Sequence, residues 1–213
     1  TAYAFATMKL YYSPGACSLS PHIVLREAGL PFQLVMASTK TKKLADGSDY
    51  LAINPKGRVP ALVTERGIIT ENPAILLYIA QAFPAADLAP REDAFALAEL
   101  QAFNAYLCST VHVAHAHGRR GSRWASQQAS IDDMKLKMTE NMAACFALIE
   151  QELFRVPWVM GAAYSIADPY LFTLSGWLAS DGVDIADFPR VQAHHQRMNA
   201  RPAVQRALAR QAS

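Results

Sequence analysis

Apolar and polar residues alternate in short runs over the first 83 residues, a pattern typical of a chain in which strands and helices follow one another. Segments 18–28 and 73–82 carry apolar residues at helical spacing and are predicted to be helices. Four short apolar runs predict strands, at 9–13, 32–36, 61–64 and 67–70. The predicted order is βαβ, an irregular stretch, and then ββα, which is typical of an α/β domain.

The composition changes after residue 83. Residues 84–91 form a connector rich in proline and alanine, and apolar residues beyond it recur every three or four positions, as they do in helices. These apolar stripes are interpreted as helix core and not as cofactor sites. We therefore predict a domain at 8–83, a linker at 84–91 and a second, helical domain at 92–213.

Individual residues mark where helices of the second half begin. Ser165 and Asp168 have the spacing of a helix capping box, with Asp in place of the usual Glu, and they predict a helix that continues through Trp177. Pro189 and Pro202 mark two further helix starts.

Composition and charge limit the classes of function. The 213 residues include 20 basic and 18 acidic side chains, a formal net charge of +2, so a nucleic-acid partner is not expected. The sequence predicts no membrane span and no signal peptide, and Met8 is interpreted as the natural start. Three widely spaced cysteines without a CxxC pattern argue against a disulfide framework and a zinc ribbon, so a cytoplasmic location is expected.

Cys17 lies where the first predicted strand gives way to the first predicted helix. The positive end of a helix dipole and its free N–H groups stabilise an anion, so a thiol at this position is expected to ionise readily. A small buried structural residue is the alternative, since free cysteine is among the most buried residue types. Cys108 and Cys145 lie within helical stripes and are interpreted as structural.

Two further places in the first half offer groups to a ligand. Pro60 has no N–H for a strand ladder, so Val59 before it keeps backbone groups available for an extended, peptide-like ligand. Glu71 and Asn72 precede a predicted helix, where side chains and helix N-terminal amides could bind an ammonium and a carboxylate together. The alternative for Asn72 is a simple helix N-cap.

These features lie within stretches that resemble the bacterial beta class of glutathione transferases. The matching stretches are MKLYYSPGACSL (8–19), NPKGRVPAL (54–62), ITENPAILLYI (69–79), SIADPYLFT (165–173) and FPRVQAHHQRMNARPAV (188–204). They follow the family's order and cover nearly the whole chain. The resemblance implies an α/β thioredoxin-like N-terminal domain of order βαβαββα, followed by an all-α helical-bundle C-terminal domain that lines the electrophile pocket.

The resemblance assigns one group of residues to the glutathione sulfur and the cysteinyl backbone. Cys17 would lie beside the sulfur and form a mixed disulfide with it, and helix N-terminal dipoles near Cys17 and Ser18 would favour the thiolate. Val59 would bind the cysteinyl backbone through its N–H and C=O, next to a cis Pro60. His112, from the second domain, would act near the sulfur as a hydrogen-bond donor or local base.

A second group is assigned to the charged ends of the tripeptide. Glu71 would pair with the γ-glutamyl ammonium, Asn72 would receive the γ-glutamyl carboxylate, and Lys42 would reach toward the glycyl carboxylate. Position 72 departs from the Ser of many transferases, but an Asn amide still bonds a carboxylate. Ala105 stands where relatives carry a polar residue that reaches the glutathione of the partner subunit.

We therefore predict a glutathione transferase that conjugates the glutathione thiolate to small hydrophobic electrophiles, with glutathione as co-substrate and, by resemblance, a homodimeric state. The alternatives are a glutathione-dependent thiol transferase or reductive enzyme that uses Cys17, and a non-catalytic glutathione-binding module. No metal is expected. His112, His115 and His117 cannot meet at one ion, because at about 3.6 residues per turn His117 points away from His115.

Overall fold

The computed structural model of the chain describes residues 7–211. Residues 1–6, predicted to be a short extension before Met8, and residues 212 and 213 of the predicted second domain lie outside this range. The chain divides into two units, the first made of residues up to Ala89 together with those from Ala200, and the second made of Pro90–Asn199. The predicted fold class is confirmed, since the first unit is a mixed α/β structure and the second is helical.

A four-stranded mixed sheet forms the centre of the first unit. Its strands are β1 (Met8–Tyr12), β2 (Phe32–Met36), β3 (Ala61–Thr64) and β4 (Gly67–Thr70), in the order β2-β1-β3-β4. β1 pairs with β2 in parallel and with β3 antiparallel, and β3 and β4 form an antiparallel hairpin. Parallel neighbours need a crossover connection, which is helix α1 (Leu19–Glu27). The turn that contains Cys17 therefore follows directly after the carboxyl end of β1, which is an internal strand of the sheet.

The connection between β2 and β3 is mostly irregular. The βαβαββα order implied by the resemblance has a helix here, whereas the described structure has a single 3-10 turn at Tyr50–Ala52. Turn-forming residues account for this course: Ser48 donates from its N–H and its hydroxyl to Asp46 Oδ1, and the Asn54 side chain accepts from the Lys56 N–H at 3.1 Å.

Helices α2 (Asn72–Ala82) and α8 (Pro202–Gln211) complete the first unit. α8 packs on α1 although it follows the second unit in the chain. The predicted second domain at 92–213 includes this helix, whereas the structure groups the helix with the first unit. Arg201, just before α8, forms a two-pronged ion pair with Glu27 of α1 at 2.6 and 3.1 Å. The apolar residues that α8 buries are Ala203, Val204 and Ala207.

The second unit contains α3 (Ala94–Tyr106), α4 (His112–Arg119), α5 (Gln128–Leu148), α6 (Ala167–Ser175) and α7 (Pro189–Asn199). Single π-helical turns at Leu107–Val111 and Ile149–Leu153 join α3 to α4 and extend α5. Across residues 7–211, none of the helices combines the length and the apolar content that a membrane span requires.

The predicted capping box at the start of α6 is present. Ser165 Oγ accepts from the Ala167 N–H at 3.2 Å, and Asp168 Oδ2 accepts from the Ser165 N–H at 2.8 Å. Asp168 is fully buried, and its Oδ1 lies 2.9 Å from both the Val159 N–H nitrogen and His194 Nε2. One carboxylate thus ties α6 to α7 and to the segment before α6.

His22 is fully buried on α1 in the first unit. Arg26 Nε donates to His22 Nε2 at 3.0 Å, and Phe32 packs edge-on against the imidazole ring. Burial, with Arg26 and Arg210 nearby, lowers the pKa of His22 from 6.5 to about 4. Below about pH 6.5 the unfolded chain therefore binds a proton at His22, whereas the folded chain binds that proton only below about pH 4. The free energy of unfolding falls as pH falls across this window.

We expect the His22→Gln variant to lose less stability than the wild type on acidification, by about 2 kcal/mol between about pH 6.5 and 5. Glutamine retains a polar side chain but takes up no proton. The measurement is the free energy of unfolding from urea titrations at several pH values. Ile23→Val is the control, because it perturbs the same helix and leaves the titration intact. Parallel pH profiles for the wild type and His22→Gln would contradict the prediction.

Candidate functional site

Cys17 lies in the turn between β1 and α1, and Ser18 closes that turn. The Ser18 hydroxyl accepts from the Ser13 N–H at 3.2 Å and donates to the Ser13 C=O at 3.3 Å. The Ser18 side chain is fully buried. The Cys17 C=O accepts from the Ser20 N–H at 3.1 Å at the start of α1. The cysteine is therefore held at the amino end of the helix, as the sequence predicted.

Three segments that are distant in sequence meet at Cys17. Its half-buried thiol donates to the Val59 C=O at 3.4 Å, just before β3. The peptide bond between Val59 and Pro60 is cis, as the resemblance implied. On the other side, Asn72 Nδ2 at the start of α2 donates to the Cys17 C=O at 2.9 Å. We call Cys17, Val59, Glu71 and Asn72 the Cys17 site.

Two buried side chains hold the peptide carbonyl that precedes Val59. The Tyr50 hydroxyl and Asn54 Nδ2 each donate to the Arg58 C=O at 2.8 Å. Tyr50 is fully buried and Asn54 is 1% exposed. Burial raises the pKa of Tyr50 to about 12, so its hydroxyl remains a donor at neutral pH. The position of Val59 is thus fixed through the carbonyl of the preceding residue, Arg58.

Lys42 supports the same segment. Its Nζ donates to the Gly57 C=O at 2.7 Å and also to the Thr39 C=O. A Cβ at position 57 would come within 3.0 Å of the Lys42 stem, and Gly57 has a φ of +61°, so both space and backbone conformation favour glycine there. The contact of Lys42 with a glycyl carboxylate stays a prediction.

Glu71 and Asn72 lie where β4 ends and α2 begins. Glu71 has a φ of +75°, which is uncommon for a residue with a Cβ. Its carboxylate accepts from Lys56 Nζ, which also donates to Thr70 Oγ1 at 2.8 Å. Asn72 is 5% exposed, and within residues 7–211 its Oδ1 has no hydrogen-bond partner. The Asn72 side chain therefore binds the Cys17 turn and does not act as an N-cap.

His112 belongs to the second unit, at the start of α4. Its ring packs edge-on against Trp177, with 5.0 Å between the ring centroids. His115 stacks on the same indole at 4.2 Å, and its Nδ1 lies 2.6 Å from Oδ2 of the buried Asp181. In the described part of the chain, no group of three or more His, Cys, Asp or Glu side chains is arranged to hold a metal ion.

The other two cysteines lie in the second unit. Cys145 is buried, and burial raises the pKa of its thiol. Cys108 is half-buried and donates to the Ala105 C=O at 3.4 Å within the same stretch of helix. Both positions agree with a structural interpretation.

The sequence analysis did not single out four supporting residues: Tyr50, Asn54, Lys56 and Gly57. Three of them lie in the stretch NPKGRVPAL, whose mixture of turn-forming and charged residues indicates an irregular segment with polar contacts. Tyr50 carries no local signal, because its bond to the Arg58 C=O exists only in the folded chain.

The chain matches two family models along its length, "Glutathione S-transferase, N-terminal domain" at residues 6–81 and "Glutathione S-transferase, C-terminal domain" at 122–202. Glutathione S-transferase GstA of Escherichia coli O157:H7 is 34% identical over 203 residues, 94% of this chain and 97% of its own length. A solved glutathione transferase homologue from Sulfitobacter, with bound glutathione, is 45% identical with a TM-score of 0.90, covering 96% of this chain and 98% of its own. A bacterial beta class glutathione S-transferase from Sphingomonas chungbukensis is 38% identical with a TM-score of 0.86, covering 95% and 98%.

The Tyr50→Phe variant is expected to lose about 1 kcal/mol of unfolding free energy, because one of the two donors to the Arg58 C=O disappears while the ring stays packed. Urea titration at neutral pH measures the loss. Tyr11→Phe is the matched control, since the Tyr11 ring neighbours Tyr50 at 5.5 Å and makes no bond to Arg58. An equal loss in the two variants would show that the bond to Arg58 is not the source.

Proposed function

The chain belongs to the glutathione S-transferase family and is a glutathione transferase, and from this premise we propose that the Cys17 site binds glutathione as co-substrate. The observation that carries the proposal is the Cys17 thiol 3.4 Å from the Val59 C=O. A tripeptide whose cysteinyl backbone lies on Val59 would bring its own sulfur beside Cys17.

Glutathione is proposed to lie extended, with its cysteinyl N–H and C=O paired to the backbone of Val59. The Val59 C=O then exchanges the Cys17 thiol, a weak donor, for a peptide N–H, which is a stronger one. Pro60 has no N–H that could compete for the ligand. The bonds from Tyr50 and Asn54 keep this backbone in place before the ligand arrives.

The charged ends of the tripeptide have separate partners in this proposal. The Glu71 carboxylate takes the γ-glutamyl ammonium. The amino end of α2 and the second amide hydrogen of Asn72 favour the γ-glutamyl carboxylate. Lys42 is assigned to the glycyl carboxylate, and it would then turn its Nζ from a backbone carbonyl toward the ligand.

Catalysis is proposed to consist of stabilising the glutathione thiolate. The thiol loses its proton, and the sulfur lone pair attacks an electrophilic carbon, forming a C–S bond as the leaving group departs. Backbone dipoles at the amino end of α1, near Cys17 and Ser18, favour the anion. The role of His112 as donor or local base rests on the family resemblance, as does the assignment of small hydrophobic electrophiles to the helical unit.

A second candidate function is thiol transfer, favoured by the position of the Cys17 thiol at Val59. The Cys17 thiolate would attack the glutathionyl sulfur of a mixed disulfide, forming a bond from Cys17 to glutathione as the other thiol leaves and takes a proton. A second glutathione thiolate would attack that intermediate, restoring the Cys17 thiolate and releasing oxidised glutathione. The attacking second glutathione supplies the reducing equivalent, because its sulfur enters a disulfide while the sulfur of the departing thiol leaves one.

A homodimer in the cytoplasm is proposed as the working state. The dimer rests on the family resemblance, and the location rests on three cysteines that remain free thiols, which suits a reducing compartment. A monomeric mass in solution at micromolar concentration would contradict the dimer.

Reduced wild-type protein incubated with oxidised glutathione is expected to gain one glutathione, seen by intact mass, because Cys17 lies beside the tripeptide's sulfur. The Cys17→Ala variant should gain none, and Cys108→Ala should behave as the wild type does. An adduct that persists in Cys17→Ala would contradict the assignment. Conjugation of a generic aromatic electrophile, assayed on the same samples, separates the two candidate functions. If Cys17→Ala retains full conjugating activity, Cys17 takes no part in conjugation and thiol transfer is its remaining candidate role.

A further inference from the structure

Lys56 forms the one ion pair of Glu71 within the described residues. Its Nζ binds Glu71 Oε1 and lies 2.8 Å from Thr70 Oγ1. The two charged side chains are 44% and 60% exposed. Exposed ion pairs of this kind contribute little to stability, so stability does not explain why this lysine holds that carboxylate.

The contact uses one of the two oxygens of Glu71. Lys56 approaches Oε1, and among residues 7–211 Oε2 accepts no hydrogen bond. A carboxylate has about four lone-pair positions, so Glu71 retains capacity for a second cation beside Lys56. A positive and a negative group thus lie side by side at the amino end of α2.

Asn72 is a poor sole partner for a ligand carboxylate in this chain. Its amide is 5% exposed, and one of its hydrogens is directed to the Cys17 C=O at 2.9 Å. The residue after it is Pro73, which has no N–H, so the first turn of α2 offers fewer amides than usual. A carboxylate bound next to Glu71 would therefore gain a further, charged donor from the ammonium of Lys56, which is half-exposed beside it.

We propose that Lys56 determines specificity for the α-carboxylate of the γ-glutamyl group, while Glu71 binds the neighbouring ammonium. The pair then complements an α-amino-acid zwitterion, positive group against negative and negative against positive. This inference rests on the proposed binding of glutathione at the Cys17 site and adds a residue to it.

The test measures dissociation constants by calorimetry for the wild type and Lys56→Met, each with glutathione and with γ-aminobutyryl-cysteinyl-glycine, which lacks only the α-carboxylate. Lys56→Met is expected to bind glutathione about tenfold more weakly, the effect of one charged hydrogen bond. With the truncated tripeptide, the two proteins should agree within about twofold. Lys9→Met, which removes an exposed charge from β1, is the matched control and should bind both ligands as the wild type does.

Three results would overturn the inference. An equal loss with both ligands would mean that Lys56 acts only by positioning Glu71. Unchanged or tighter glutathione binding by Lys56→Met would mean that Lys56 competes with the ligand's ammonium or does nothing. Absence of glutathione binding by the wild type would remove the proposed function as well, whereas wild-type binding with no effect of Lys56→Met removes the role of Lys56 alone.

Discussion

Two hydrogen bonds to one backbone carbonyl, that of Arg58, fix the Val59 segment on which the Cys17 thiol rests. The donors, Tyr50 and Asn54, are buried, so water does not compete for them. A buried polar group that loses its partner costs about 1–3 kcal/mol, which strongly disfavours other conformations of this segment. Val59 follows directly, and its carbonyl meets the thiol of Cys17. The position of the Val59 carbonyl thus depends on a contact that Tyr50, eight residues before Arg58, makes with its hydroxyl.

The site is built from elements that are each fixed independently. The internal strand β1 and the Ser18 hydroxyl hold the turn of Cys17, and α2 carries the Asn72 amide to its other side. Such preorganisation suits a flexible peptide ligand, because little conformational freedom of the protein is lost on binding. At position 72, where many transferases have Ser, the Asn amide donates to the Cys17 C=O, and we propose that Glu71 and Lys56 recognise the charged groups of the ligand.

The sequence predicted the four strands and helices α1 and α2 to within one residue, because these elements carry apolar residues at a regular spacing. The capping box of α6 was also predictable, since its partners lie three residues apart. The contact of Tyr50 with Arg58 was not, and neither was that of Lys56 with Glu71, because the β3–β4 hairpin brings that pair together across 15 residues. The last helix was grouped with the second domain for a similar reason, as its packing on α1 joins opposite ends of the chain.

A crystal structure of the protein soaked with reduced glutathione tests the central claim most directly. We predict an extended tripeptide with the glutathione sulfur beside Cys17. Its cysteinyl N–H should donate to the Val59 C=O, and its cysteinyl C=O should accept from the Val59 N–H, each with an N···O distance of about 2.9 Å. The Arg58 carbonyl should retain its bonds from Tyr50 and Asn54. Glutathione bound away from Val59, with the Cys17 thiol still on the Val59 carbonyl, would contradict the account.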